Sequence, residues 1–333
     1  MSEGSTVAET TGTNRKFQSD PLIFFSALGF ILVFVAATLA FGDQAREVYS
    51  SISTWLMDNL AWMYIGGISA VFIYLIVIFI SRYGNLRLGD DDDEPEYSYP
   101  TWFAMLFAAG MGATLMFWGA AEPLHHAYRP PRGDMDSMSR DAIIQAFEFT
   151  YYHFGIHMWV IFTLPGLAIG YFVYKRKMPA RMSSMFAPIL GRRVYEAPGK
   201  LLDALGIVGT VFGLAVSVGL GVLQISAGMN IMWDVPLVTP VQLGIILAIT
   251  VAASISVATG LDKGVKFLSN LNIVGTILLM IFVLLTGPTL KLVGQITESF
   301  GIYAQSLPEL MFWVDSYNDN PGWHGMWTAF YWA

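Results

Sequence analysis

Seven stretches of this chain are too long and too apolar to belong to a water-soluble globule. An α-helix rises 1.5 Å per residue, so about 20 apolar residues cross the ~30 Å hydrocarbon core of a bilayer. Runs of that kind fall at residues 21–41, 58–81, 101–124, 142–174, 203–229, 239–259 and 271–290. An eighth begins near Gly322 and is still in progress at Ala333, which predicts a chain that stops inside its eighth span. The class expected is an all-α, multi-pass membrane protein. Composition agrees, with 55% of the 333 residues hydrophobic and only 13% charged.

The net charge of −7 says less than where the charges sit, which is in tails and loops. Nothing in it points to nucleic acid. The absence of cysteine removes disulfides, thiolate zinc sites and thiol nucleophiles. Residues 1–20, polar with one basic pair at Arg15-Lys16, read as a disordered tail. They are not a signal peptide, because the first apolar run is long enough to span. With the N-terminus inside, 13 of the 18 Lys and Arg face the cytoplasm, and Arg46, Arg129, Arg132, Arg140 and Lys291 face out. That asymmetry predicts a cytoplasmic N-terminus in the cell inner (plasma) membrane. Residues 21–99 then hold two leading spans and an acidic linker, Asp90 to Glu94, read as solvated. Residues 100–290 hold five spans, with 260–270 as an amphipathic helix at the cytoplasmic interface. Residues 291–333 form an extracellular connector and the start of the eighth span.

Candidate chemistry begins in the third span, where Ala108-Ala109-Gly110-Met111-Gly112-Ala113-Thr114 puts small residues in mid-membrane. Glycines there allow unwinding, and unwound backbone offers carbonyls to a cation and amides to a carboxylate. Close packing against a neighbour explains them equally well. In the fifth span Gly209, Gly213, Ser217 and Gly221 share one face and predict the close approach of another helix; Thr210 is expected to bond its own backbone. His153 and His157 in the fourth span share a face, but no third metal ligand is evident, so they read as hydrogen-bonded packing residues. Phe154, Trp159 and Phe162 could surround a quaternary ammonium through their ring faces. No Lys, Arg or Asp falls in the middle of spans three, four, six or seven, and Glu122 and Glu148 lie near span ends. Aromatic rings and backbone are therefore the expected binding groups.

Several stretches together resemble the betaine/carnitine/choline transporter family. They are Gly110-Met111-Gly112 with Leu115-Met116-Phe117-Trp118-Gly119-Ala120-Ala121-Glu122-Pro123-Leu124, then Gly219-Leu220-Gly221-Val222-Leu223-Gln224-Ile225, then Gly260-Leu261-Asp262-Lys263-Gly264 and Leu268-Ser269-Asn270-Leu271-Asn272. Gly287-Pro288-Thr289 and Trp327-Thr328-Ala329-Phe330-Tyr331-Trp332-Ala333 complete the set, in the family's order. The resemblance implies a LeuT-like fold of two leading helices and two inverted five-helix repeats, of which this chain holds the first. It implies that Gly110, Met111 and Gly112 meet the substrate's carboxylate end. The carbonyls of Ala108 and Met111 would help hold sodium. Phe154, Trp159 and Phe162 would form the aromatic box, and Phe330 and Trp332 would line the pathway and site. Two box positions carry Phe where the family mostly has Trp and Tyr, and Thr114 replaces a glycine common in sodium-coupled members. The expected function is sodium-coupled uptake of glycine betaine, choline, carnitine or a sulfonium analogue, by a protein that is not an enzyme. Proton coupling or exchange is the alternative, ahead of an ion channel or membrane enzyme. The partners expected are the solute and the lipid bilayer, with a homo-oligomer left open.

Overall fold

The computed structural model describes residues 20–332, except 91, 111, 134, 318, 319 and 321. The described residues form helices and connecting turns, with no strand among them. Helix α1 (Pro21–Phe41) starts where the side chain of Asp20 accepts the Leu22 amide at 3.0 Å and Pro21 supplies a ready-made helical φ. Gly42, at φ 48°, is the single residue that turns α1 into α2 (Asp43–Ile80). Helix α2 therefore begins well before the apolar run at 58–81, because polar residues such as Asp43, Arg46 and Glu47 extend the helix beyond its apolar stretch.

The third span is two helices, α3 (Tyr99–Gly110) and α4 (Ala113–Tyr128), bent by 67° at the glycines. The fourth is also interrupted. Ser139 caps α5 (Arg140–Phe154), Gly155 breaks the ladder, and α6 (Ile156–Gly170) continues into a π turn, Tyr171–Lys175. After short turns come α7 (Ala197–Trp233), α8 (Thr239–Ala258) and α9 (Lys266–Thr286). Residues 260–270, expected as a separate interfacial helix, instead make one π turn, Leu261–Val265, that runs directly into α9. The expected connector after residue 290 contains a further helix, α10 (Thr289–Leu310). Among the described residues six helices are long and apolar enough to cross a membrane, or seven if the bent α3–α4 pair is one span.

Side chains sort by what surrounds them. Leu39, Phe79 and Leu290 are 80%, 81% and 89% exposed, an arrangement that suits lipid tails as solvent. The larger buried hydrophobic cluster among the described residues instead gathers mostly aromatic side chains from several helices: Phe149 and Tyr152 of α5, Tyr303 of α10, and Trp323, Trp327 and Trp332 near residue 332, with the aliphatic Ile65 of α2 and Leu310 of α10. Trp327, Trp323 and Trp332 meet His126, Phe149 and Tyr152 respectively edge to face, at centroid distances of 4.5, 4.8 and 4.8 Å, a favoured geometry for aromatic pairs. This cluster positions both the broken span and the last helical turns.

Candidate functional site

The break between Gly110 and Ala113 leaves the end of α3 and the start of α4 next to one another. The last four carbonyls of α3, Ala108 among them, have no intrahelical partner, and the first amides of α4 have none either. Gly112, extended at φ −86° and ψ 177°, caps α4 without a side chain, so nothing covalent to the helix satisfies those donors. Gly110 is there because of Trp159: a Cβ on Gly110 would collide with the indole ring. The glycine thus lets the α6 tryptophan lie directly against the end of α3. Met111 lies outside the described residues.

Helix α7 holds the other side of the break. Gln224 donates its side-chain amide to the Ala113 carbonyl at 2.9 Å, and the Thr114 and Ser217 hydroxyls lie 3.3 Å apart. A Cβ on Gly221 would stand 3.2 Å from that of Ala113. Half of the small-residue stripe makes the close approach expected of it; Gly209 and Gly213 face open space. Thr210 bonds the Gly206 carbonyl of its own helix at 2.8 Å.

Of the eight expected substrate residues, the seven that the structure describes make separate sets of contacts. Trp159 and Phe162 pair at 6.1 Å beside the break with Gly110 and Gly112, and Phe162 is 56% exposed. Phe154 instead packs edge-on against Tyr331 at 5.3 Å. Trp332 is buried, stacked on His157 at 5.6 Å and against Tyr152 at 4.8 Å. Phe330 is exposed and lines a cleft of about 500 Å³ with Trp118, Arg129, Trp327 and Tyr331. Of these, Trp118 and Trp327 stood in the recognisable stretches of the sequence, whereas Arg129 carried no signal beyond its charge.

One constellation escaped the sequence reading. Glu122 lies near a helix end but is fully buried, and its Oε1 meets His153 Nδ1 at 2.7 Å and His126 Nε2 at 3.2 Å. His153 is hydrogen-bonded as expected, reaching Thr328 through its other nitrogen at 2.8 Å. His157 is not: both its nitrogens are buried without a hydrogen-bond partner among the described residues, and the ring packs by stacking. The i,i+4 spacing of Glu122 and His126 was there to be read, but His153 joins them only through tertiary packing.

Comparison with known proteins fits this helical architecture. Residues 22–333 match the family model described as BCCT, betaine/carnitine/choline family transporter. The chain belongs to this family. It is 62% identical over 333 residues to the ectoine/glycine betaine/proline transporter EctP of Corynebacterium glutamicum, covering 99% of this chain and 54% of that protein. It is 35% identical over 322 residues to a glycine betaine transporter of Acinetobacter baylyi, covering 96% and 48%. The glycine betaine transporter OpuD of Bacillus subtilis is 36% identical over 314 residues, covering 92% and 61%. The chain spans about half the length of the curated relatives it matches. As a member of this family with several apolar helices, it is a multi-pass membrane protein.

Proposed function

We propose that this chain forms the first part of a secondary active transporter that imports a zwitterionic or cationic osmolyte such as glycine betaine, driven by sodium. The observation that carries the reading is the break in the third span, with the Trp159 ring against Gly110. A zwitterion with a carboxylate and a quaternary ammonium needs two unlike partners close together. The uncapped amides of α4 suit the carboxylate, since helix N-termini attract anions. The Trp159 face suits the diffuse positive charge, and Phe162 extends that apolar wall. In this reading Gly110, Met111 and Gly112 receive the carboxylate end. Phe154, Phe330 and Trp332 belong to the approach, grouped around Tyr331, Tyr152 and the cleft that Phe330 lines.

The coupling ion fits the same gap. Carbonyl oxygens suit a hard monovalent cation, and Ala108 falls in the last turn of α3, where carbonyls lack helical partners. Ala108 and Met111 would hold sodium there. The Corynebacterium glutamicum relative is a transporter of ectoine, glycine betaine and proline, all small solutes carrying a carboxylate and a positive nitrogen centre, which supports the osmolyte class. The fold proposed is the LeuT-like inverted repeat, with the N-terminus in the cytoplasm of a cell whose inner membrane it spans. Uptake by a full-length transporter carrying this sequence should fall strongly when sodium is replaced by potassium at fixed pH. Unchanged rates would remove sodium as the driving ion.

A further inference from the structure

Where α6 ends and α7 begins, the chain between them is strongly basic. Residues 175–200 hold seven Lys and Arg and one acid, Glu196. Three short helical turns, Met182–Phe186, Ala187–Leu190 and Gly191–Tyr195, fold this segment against the start of α7. Asp203 of α7 fixes it, accepting the Ser183 amide at 2.8 Å and the Ser183 hydroxyl at 3.1 Å. A Cβ on Gly206 would stand 2.7 Å from the Met182 sulfur, so this glycine lets Met182 approach α7. Helix α1 closes on the same end of α7 through Ile23, Ala27 and Ala204.

Beside these contacts lies a cleft of about 740 Å³. Its apolar walls include Phe24 of α1, Ile169 of α6, Met182 of the basic segment, and Ile207 and Val211 of α7. Each of these five is 37–42% exposed, so no helix among the described residues covers them. From Asp203 to Val211 the cleft follows α7 for about 12 Å, most of the ~15 Å depth of one leaflet's hydrocarbon. Its charged residues are Asp20, Arg181 and Asp203, all at the end where α1 and α7 begin. The two acids are already engaged, Asp20 with Lys200 and Asp203 with Ser183. Arg181 is not. Among the described residues its guanidinium makes no ion pair or hydrogen bond, and the same holds for Arg176, Arg192 and Arg193.

An uncovered apolar cleft nearly one leaflet deep, with a free guanidinium at its mouth, suits a molecule with a long hydrocarbon chain and an anionic head. Guanidinium meets phosphate oxygens through paired N–H groups, and basic pockets between transmembrane helices take anionic headgroups. We propose that this cleft is a lipid site, holding an acyl chain of an anionic phospholipid whose phosphate is bound by Arg181. Arg176, Arg192 and Arg193 surround the mouth with further uncompensated charge, which favours a head of net negative charge over a zwitterionic one. Tyr174 and Tyr195, both exposed, flank the same basic segment, as amphipathic rings do at headgroup level. Another helix laid over the cleft would cover the walls but leave Arg181 unneutralised unless it brought an acid, so charge complementarity favours the lipid. The site shares no residue with the broken span, and it rests on neither the substrate nor the sodium reading.

Native mass spectrometry of the detergent-purified full-length transporter, mixed with phosphatidylglycerol or with phosphatidylcholine of identical chains, reads bound lipid directly. At equal concentration the fraction of protein carrying phosphatidylglycerol should exceed the fraction carrying phosphatidylcholine. Arg181→Gln should weaken phosphatidylglycerol binding about five-fold, the effect of removing one basic residue from beside an anionic head, and Arg181→Lys should restore most of it. Ile207→Trp narrows the cleft without changing any charge and should also weaken binding. Inorganic phosphate should not displace the lipid, because it has no chain to fill the cleft. Equal binding of the two lipids, binding of neither, binding unchanged by Arg181→Gln, or displacement by inorganic phosphate would each overturn the assignment.

Discussion

At Gly110 a single added methyl group would meet the Trp159 ring, so this position reports on the break directly. Gly110→Ala forces the indole or the end of α3 to move, an overpacking cost of about 1–3 kcal/mol. A full-length transporter with this change should lose thermal stability, and Trp159→Phe in the same protein should restore part of it; no restoration would mean that the two residues do not meet. Trp159 itself should be the strongest cation contact, since indole has the best π face. A desolvated cation–π contact contributes about 2 kcal/mol, so Trp159→Leu should weaken betaine binding on the order of thirty-fold. An uncharged analogue separates charge from shape. Equal losses for betaine and the analogue would show that the ring supplies packing alone.

Elements in this chain are joined by few polar contacts, and Asp20 makes two of them. Its Oδ1 caps α1 through the Leu22 amide, and its Oδ2 pairs with Lys200 of α7 at 2.8 Å. The Lys200 hydrogen bond holds the Asp20 carboxyl below its ordinary value of 3.8. A carboxyl with a lowered folded value contributes stability above its unfolded value, and the contribution is lost as pH falls through the folded one. Asp20→Asn keeps a competent cap but loses the ion pair, whereas Asp20→Ala loses both. The expected order of thermal midpoints at neutral pH is wild type, then Asn, then Ala, with the gap between wild type and Asn closing in acid. A gap that does not narrow at all as the pH is lowered from neutrality to well below 3.8 would show that the ion pair is not its source. The broken third span is likewise held from outside, by Gln224 and Ser217 of α7, the latter meeting Thr114 of α4, since its own backbone hydrogen bonds stop at the glycines.

Across the whole molecule, what was legible in the sequence was whatever the bilayer dictates. Span lengths follow from hydrocarbon thickness, so α1 and α8 fall at 21–41 and 239–258, nearly where the apolar runs place them. The break at Gly110 and Gly112 was legible as a possibility, because small residues are out of place in mid-span. Helix α10 was not, since Lys291, Glu298 and Glu309 interrupt its apolar run while leaving one face for Tyr303 and Leu310 to bury. Nor was the packing of Phe154 against Tyr331, because the two residues lie far apart in the sequence and meet only through tertiary packing. Glu122 and His153 are 31 positions apart, so the buried cluster depended on packing that no local pattern encodes. The central claim is that this architecture moves a solute against its gradient around a broken span. Uptake of labelled glycine betaine into proteoliposomes containing the full-length transporter tests it most directly. The account predicts saturable accumulation above the external concentration under an inward ion gradient, competed by unlabelled betaine and lost when the gradient is dissipated. Uptake that rises linearly with concentration and only equilibrates, with or without the gradient, would contradict it.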